Sequence, residues 1–114
     1  MSELFLDALE RAAVDDAVAV SDATESLTYA QLADQARRVA ARLADTCPES
    51  SFIVVRSTST VRFVVTLLGV MYRGATPVPI DPDLPAAGVE FITCKSQAAG
   101  VVDPFEHAVL LLCP

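Results

Sequence analysis

The stretch from residue 67 to 82 constrains the fold of this chain more than any other part of its sequence. Apolar residues at helical spacing end at Gly74, where a helix favours a residue at positive φ. The next segment, 76–80, alternates valine and isoleucine with Pro77 and Pro79, whose nitrogens have no hydrogen to donate to a neighbouring strand. The stretch therefore predicts a helix that ends at Gly74, followed by a short strand that pairs freely on one side only.

Strand and helix patterns alternate along the rest of the chain. Thr28 and Gln31 form a capping box at the start of a helix. The apolar run 52–55 is typical of a parallel strand covered on both faces. In full, the patterns predict a hairpin at 18–20 and 27–28, helices at about 3–13, 29–45, 61–73 and 85–96, and strands at 52–55, 76–80, 100–102 and 108–112. This order indicates an α/β fold: three layers, a mainly parallel sheet of βαβ units with helices on both faces, and a short N-terminal hairpin.

Composition limits the chain to one small domain spanning 1–114, with 53% hydrophobic residues to build a core. A net charge of −7, with a single lysine and scattered arginines, argues against a nucleic-acid partner. No apolar run approaches the ~18 residues needed to span a bilayer, and acidic residues near the start argue against a signal peptide. We therefore expect a cytoplasmic protein with no membrane partner.

The chain has three cysteines, Cys47, Cys94 and Cys113, and none belongs to a C-x-x-C pair. An odd number of cysteines without metal-ligand spacing is typical of reduced thiols in a cytosolic protein. We therefore expect all three to be reduced.

The run 56–60, Arg-Ser-Thr-Ser-Thr, is the most plausible candidate for an anion site. Hydroxyls and backbone N–H groups at the start of a helix that follows a strand are a common way of holding anions. The run has no glycine or lysine, however, and matches neither phosphate-loop pattern. Ser57 and Ser59 are explained by helix capping. We predict that alanine at both positions lowers stability if one of them is the cap, and leaves nucleotide affinity unchanged.

No other group of residues in the sequence indicates a catalytic or metal-binding site. His107 is the only histidine and has no second metal ligand type near it in sequence. Asp81 and Asp83 flank Pro82, where turn chemistry explains both. We therefore predict no catalytic, cofactor-binding or metal-binding residue in this chain.

Two motifs carry a family resemblance that covers about the whole chain. Residues 27–32, Leu-Thr-Tyr-Ala-Gln-Leu, resemble the "L-T-Y-x-E-L" motif of the AMP-forming adenylating enzymes, with Gln31 in place of glutamate. Residues 68–82 resemble that superfamily's "L-K-A-G-A-x-x-V-P-L-D-P" motif, and Arg73 stands for its lysine or a neighbour. The superfamily contains acyl-CoA synthetases, nonribosomal-peptide adenylation domains and luciferases. The resemblance implies a truncated N-terminal subdomain of such an enzyme.

Members of this superfamily activate a carboxylate with ATP and pass the acyl group to coenzyme A or a carrier-protein thiol. The resemblance implies that the phosphate loop with its lysine, the nucleotide-binding motifs and the C-terminal domain with its catalytic lysine all lie outside these residues. Lys95 has no such loop context, since Ser96 and Gln97 follow it. ATP with Mg²⁺ and the acceptor thiol are therefore expected only in a complete family member.

Three functions are compatible with this resemblance. In the first, the chain is a catalytically incomplete homologue that acts as a binding or scaffolding partner in acyl or secondary-metabolite biosynthesis. In the second, it is the N-terminal piece of a split or truncated enzyme that works when the remainder is supplied. In the third, it binds a small molecule independently. We favour the first and expect no activity from the chain alone; the acyl substrate and the choice between a short natural protein and a cut piece stay open.

The predicted helix 61–73 is apolar nearly all round. A helix that covers one sheet face needs only one apolar stripe. The second stripe is therefore predicted to be an interface, either of a homodimer or with a protein that supplies the missing subdomain. The interface residues are predicted to be Phe63, Leu67, Val70 and Met71.

Overall fold

The structure is a computed structural model that describes residues 2–14, 16–45, 47–58, 60–102 and 109–110. Its four helices are α1 (Ser2–Ala12), α2 (Tyr29–Leu43), α3 (Val61–Tyr72) and α4 (Ala86–Lys95). Its strands are β1 (Val18–Ser21), β2 (Ser26–Thr28), β3 (Phe52–Arg56), β4 (Thr76–Ile80), β5 (Gly100–Val102) and β6 (Val109–Leu110). The predicted alternation of strands and helices is confirmed for the described residues.

The strands form two sheets. β1 and β2 make the predicted antiparallel hairpin, with an irregularity between Val18 and Val20. The main sheet has the order β4-β3-β5-β6, in which β3 pairs in parallel with both β4 and β5, and β6 is antiparallel to β5. Among the described strands, β4 lies at the edge of the sheet and pairs with β3 alone, as its two prolines predict.

Helices cover both faces of the main sheet, which confirms the predicted three-layer α/β fold. On one face, Ile53 and Val55 of β3 belong to a large core cluster with side chains from α1, α2 and α3. On the other face, Val54 belongs to a smaller cluster with Val89 of α4 and Val101 of β5. β3 is buried from both sides because its alternate side chains enter two different clusters.

Local signals set the ends of the helices. The capping box of α2 is present: the Gln31 N–H donates to Thr28 Oγ1 at 3.2 Å, and the Thr28 N–H donates to Gln31 Oε1 at 2.9 Å. After α3, Gly74 has φ +84°, and its N–H donates to the Met71 carbonyl at 2.9 Å. A side chain is strained at that φ, which explains why the helix stops on glycine.

The prediction of reduced cysteines is wrong at one position. Cys47 is a buried thiol, whereas Cys94 is disulfide-bonded. Cys113 lies outside the described residues. A disulfide requires two Cα atoms within about 7 Å, and sequence spacing alone does not reveal that approach.

Candidate functional site

The turn between β3 and α3 was the candidate anion site, and the structure shows it as a capping segment. Thr60 is the N-cap of α3, and its hydroxyl accepts from the Phe63 N–H at 3.4 Å. The Ser57 N–H donates to the Ile80 carbonyl at 2.8 Å, at the ends of two parallel strands. The capping interpretation is confirmed, but the cap is Thr60 rather than Ser57; Ser59 lies outside the described residues.

A carboxylate of the chain itself lies at the N-terminus of α3. Asp22 Oδ2, from the loop between β1 and β2, accepts from the Val61 N–H at 2.7 Å. Its Oδ1 accepts from the N–H groups of Thr24 at 2.8 Å and Glu25 at 2.9 Å. A helix N-terminus attracts anions through its unpaired N–H groups and its dipole. Here the Asp22 carboxylate is the anion that binds at the helix N-terminus.

These hydrogen bonds hold the pKa of Asp22 well below its ordinary value of 3.8, with the bond from Val61 as the largest cause. Because the folded pKa is lowered, the ionised carboxylate stabilises the native chain fully above pH 3.8, and that contribution is lost as the pH falls through the folded pKa. We therefore expect the urea midpoint of the wild-type chain to fall more steeply between about pH 5 and 2 than that of Asp22→Asn. The two proteins differ in this one carboxyl group, so identical slopes would refute the role given to Asp22.

Two further polar networks fasten the helices together. Arg62 of α3 donates to both Glu25 carboxylate oxygens, at 3.0 and 3.1 Å, and to Gln35 Oε1 of α2 at 2.6 Å. Arg37 of α2 makes a two-point hydrogen-bonded ion pair with Glu10 of α1. These side chains are committed to contacts within the chain, which is a structural role.

Tyr72 joins the Glu10 network from α3. Its hydroxyl donates to Glu10 Oε1 at 2.7 Å, and the Arg37 guanidinium lies 5.8 Å from the centre of its ring. Partial burial, and then the bond to Glu10, raise the pKa of Tyr72 to about 12. The bond from Arg37, and then that from Tyr72, lower the pKa of Glu10. These contacts favour the ionised form of Glu10, and its carboxylate links all three helices on this face of the sheet.

The remaining candidate residues that the structure describes do not form a site. The Asp83 N–H donates to Asp81 Oδ1 at 2.8 Å, which is the predicted turn chemistry. Lys95, in the last turn of α4, has its Nζ 5.7 Å from the centre of the Phe91 ring. His107 lies outside the described residues. Among those that are described, no group of three or more His, Cys, Asp or Glu residues is arranged to hold a metal ion.

An apolar groove of about 480 Å³ lies between α1, β1, α2 and α3 and is named here the α1–α3 groove. Its lining consists of Phe5, Ala8, Leu9, Ala12, Ala19, Val20, Tyr29, Leu32, Val64, Leu67 and Leu68. No charged side chain is among these described lining residues. The sequence does not reveal this groove, because its walls come from four elements and hydrophobic periodicity describes each element separately.

The four predicted interface residues on α3 differ in how much of each side chain is exposed. Val70 has no exposed surface and belongs to the chain's own core, so the interface prediction is wrong at this residue. It is buried because α3 lies between the sheet and α2, which leaves little of the helix exposed. Phe63, Leu67 and Met71 are half-buried, and Leu67 lines the α1–α3 groove. For these three residues the interface stays a prediction.

The part of the chain that the structure describes contains no helix long and apolar enough to cross a membrane. A family model described as AMP-binding enzyme matches residues 8–111. Syringomycin synthase SyrB1 of Pseudomonas syringae pv. syringae is 33% identical over 103 residues, which cover 90% of this chain and 16% of that protein. Malpinin synthetase of Mortierella alpina is 33% identical over 106 residues, which cover 90% of this chain and 1% of that protein.

Solved structures share the fold. The N-terminal subdomain of Klebsiella oxytoca NpsA superposes with a TM-score of 0.76 at 20% identity, covering 96% of this chain and 28% of that one. Apo MatB from Rhodopseudomonas palustris superposes with a TM-score of 0.79 at 18% identity, covering 89% of this chain and 21% of that one. The chain thus spans a small part of the length of the proteins that it matches.

Proposed function

Because the chain belongs to the AMP-binding enzyme family, as an N-terminal fragment of an adenylation domain, we propose that it is a binding or scaffolding component of acyl or secondary-metabolite biosynthesis. In this role it does not adenylate a carboxylate by itself. Its contribution is a folded platform of sheet and helices on which another protein segment rests. We place it in the cytoplasm, where ATP is available to a complete family member. The Cys94 disulfide argues against this placement, because the cytoplasm keeps most thiols reduced.

The observation that carries this proposal is the Asp22 carboxylate at the N-terminus of α3. Phosphoryl chemistry needs hydrogen-bond donors and cations aimed at the charge that develops on the phosphates. At this turn the Val61 N–H is taken by Asp22, and a bound phosphate would meet like charge. Arg62, the nearest cation along α3, is already paired with Glu25. The described residues therefore support packing better than nucleotide chemistry.

Carboxylate-dependent pyrophosphate exchange tests the proposal. We expect no exchange by the 114-residue chain across a broad panel of acids. Calorimetric titration with ATP should show no tight binding, for the wild type or for Asp22→Asn, which removes the blocking charge and keeps the shape of the side chain. Robust exchange by the pure chain, abolished by a substitution within it, would overturn the proposal.

The small share of each relative that the chain covers favours a second candidate function. The chain would then be the N-terminal piece of a split or truncated adenylation domain, active with its remainder. The same exchange assay separates the two roles when the complementary part of a relative's adenylation domain is added as a separate protein. Exchange that requires both pieces would establish the second role, whereas binding without exchange supports the scaffolding role.

A further inference from the structure

We propose that the α1–α3 groove seats a basic amphipathic helix of a partner protein, a conclusion that rests on the scaffolding function proposed above and names its docking surface. Amphipathic helices bind in this way by laying an apolar face into a groove between elements of the partner, with anchors at i, i+3, i+4 and i+7. The groove has the chemistry for such anchors, since its volume is about 480 Å³ and its lining is apolar.

The groove is held open by contacts on the other side of α1. Glu10 binds Arg37 of α2 and Tyr72 of α3, and this network fixes the position of α1 relative to both helices. Phe5, Ala8 and Ala12 recur at helical spacing on the α1 face that lines the groove. Because α1 is fastened through Glu10, closing the groove would break these bonds.

Three exposed apolar residues lie on, or next in sequence to, the two N-terminal elements that line the groove. Phe5, in the wall of the groove, is 56% exposed, which is unusual for a large aromatic residue with an apolar cavity beside it. Val14, two residues after α1, and Val18, the first residue of β1, are also exposed. Exposed apolar residues that lie together, rather than scattered singly, mark surfaces of association.

Charge indicates the kind of helix that fits. Residues 1–36 supply eight of the eleven lining residues and contain eight acidic side chains and one arginine, whereas residues 37–114 contain seven of each sign. The whole net charge of −7 thus belongs to the segment that builds most of the groove. Arg37, Arg38 and Arg62 neutralise part of it through ion pairs.

Two acidic residues on, or next in sequence to, the elements that line the groove remain after these pairs are counted. Asp7 lies within α1, and Asp16 lies just before β1; neither has an ion pair with the described residues. A partner helix with lysine or arginine beside its apolar anchors is therefore attracted, whereas a second copy of this chain brings the same negative charge and is repelled.

Fluorescence titration with a designed peptide tests the proposal, because the chain has no tryptophan and the signal comes from the peptide alone. The probe is an amphipathic peptide of about 18 residues with leucine anchors, one tryptophan on the apolar face and lysine on the polar face. We expect a saturable blue shift of its emission. A matched peptide with glutamate for lysine should bind at least about tenfold more weakly.

Variants of the chain locate the binding surface. Leu67→Glu, in the wall of the groove, should weaken the lysine peptide about tenfold or more. Ala8→Glu should have the same effect, and it leaves folding intact because Ala8 is exposed on α1. Phe91→Glu is the matched control: Phe91 is 62% exposed on α4, beyond the other face of the sheet, and its substitution should change nothing.

The outcomes separate the possibilities. Equal binding of the lysine peptide by the wild type and Ala8→Glu, or no binding at all, overturns the proposal. Sedimentation that shows a wild-type dimer lost in Ala8→Glu identifies a second copy as the occupant and also overturns it. Pyrophosphate exchange by the chain alone would defeat the proposed function and leave peptide docking untouched, so the two failures are distinguishable.

Discussion

Replacing Ile53 with alanine is expected to lower the free energy of unfolding by about 2–5 kcal/mol. Ile53 lies in β3, which pairs with β4 on one side and β5 on the other, and has no exposed surface. Its side chain belongs to the cluster that joins the sheet to the three helices on one face. Truncation removes buried methyl groups and leaves a cavity that β3, held by β4 and β5, closes only partly.

Urea unfolding followed by far-ultraviolet circular dichroism measures this loss. Phe52→Ala is the matched control, because Phe52 precedes Ile53 in the same strand, points to the opposite face and is 46% exposed. We expect the control to lose clearly less stability than Ile53→Ala, although it removes more atoms. Equal losses would mean that the core does not lie where the structure places it.

Replacing Gly69 with alanine is expected to destabilise the chain by about 1–3 kcal/mol. A Cβ at Gly69 of α3 would lie 2.5 Å from Val39 Cγ1 and 2.6 Å from Val39 Cβ on α2, and 3.1 Å from the Ala36 carbonyl oxygen. Rotating the Val39 side chain does not move its Cβ, so α2 and α3 must separate. The clash outweighs the gain of about 1 kcal/mol that alanine brings to a helix interior over glycine.

Two comparisons isolate this clash in thermal or urea unfolding. Gly88→Ala in α4 meets only the side chain of Leu84, which is half-buried and able to shift, so we expect a change from neutral to about 1 kcal/mol of stabilisation. In a Val39→Gly background, Gly69→Ala should cost less than in the wild type, because the opposing side chain is gone. A stabilising Gly69→Ala would show that α2 and α3 do not approach as described.

Much of the fold is determined by the sequence over short distances. Thr28 and Gln31 are three residues apart and cap α2 as their spacing predicts. Gly74 ends α3 because it has no side chain to strain at positive φ. The prolines of β4 predict an edge strand, and the apolar run of β3 predicts burial on both faces. These features depend only on residues close together in the sequence. The same is true of the two motifs that indicate the family.

The tertiary structure alone decided which distant residues meet. Asp22 looked like one polar residue in a turn, and nothing in the sequence places its carboxylate on the N–H of Val61, 39 positions away. The burial of Val70 and the contact of Gly69 with Val39 depend on where α2 lies against α3. Periodicity shows that a helix has apolar faces, but not which of them its own chain covers, because that depends on the path of the chain through space. The α1–α3 groove has the same origin, since it is the space that four separately predictable elements leave between them.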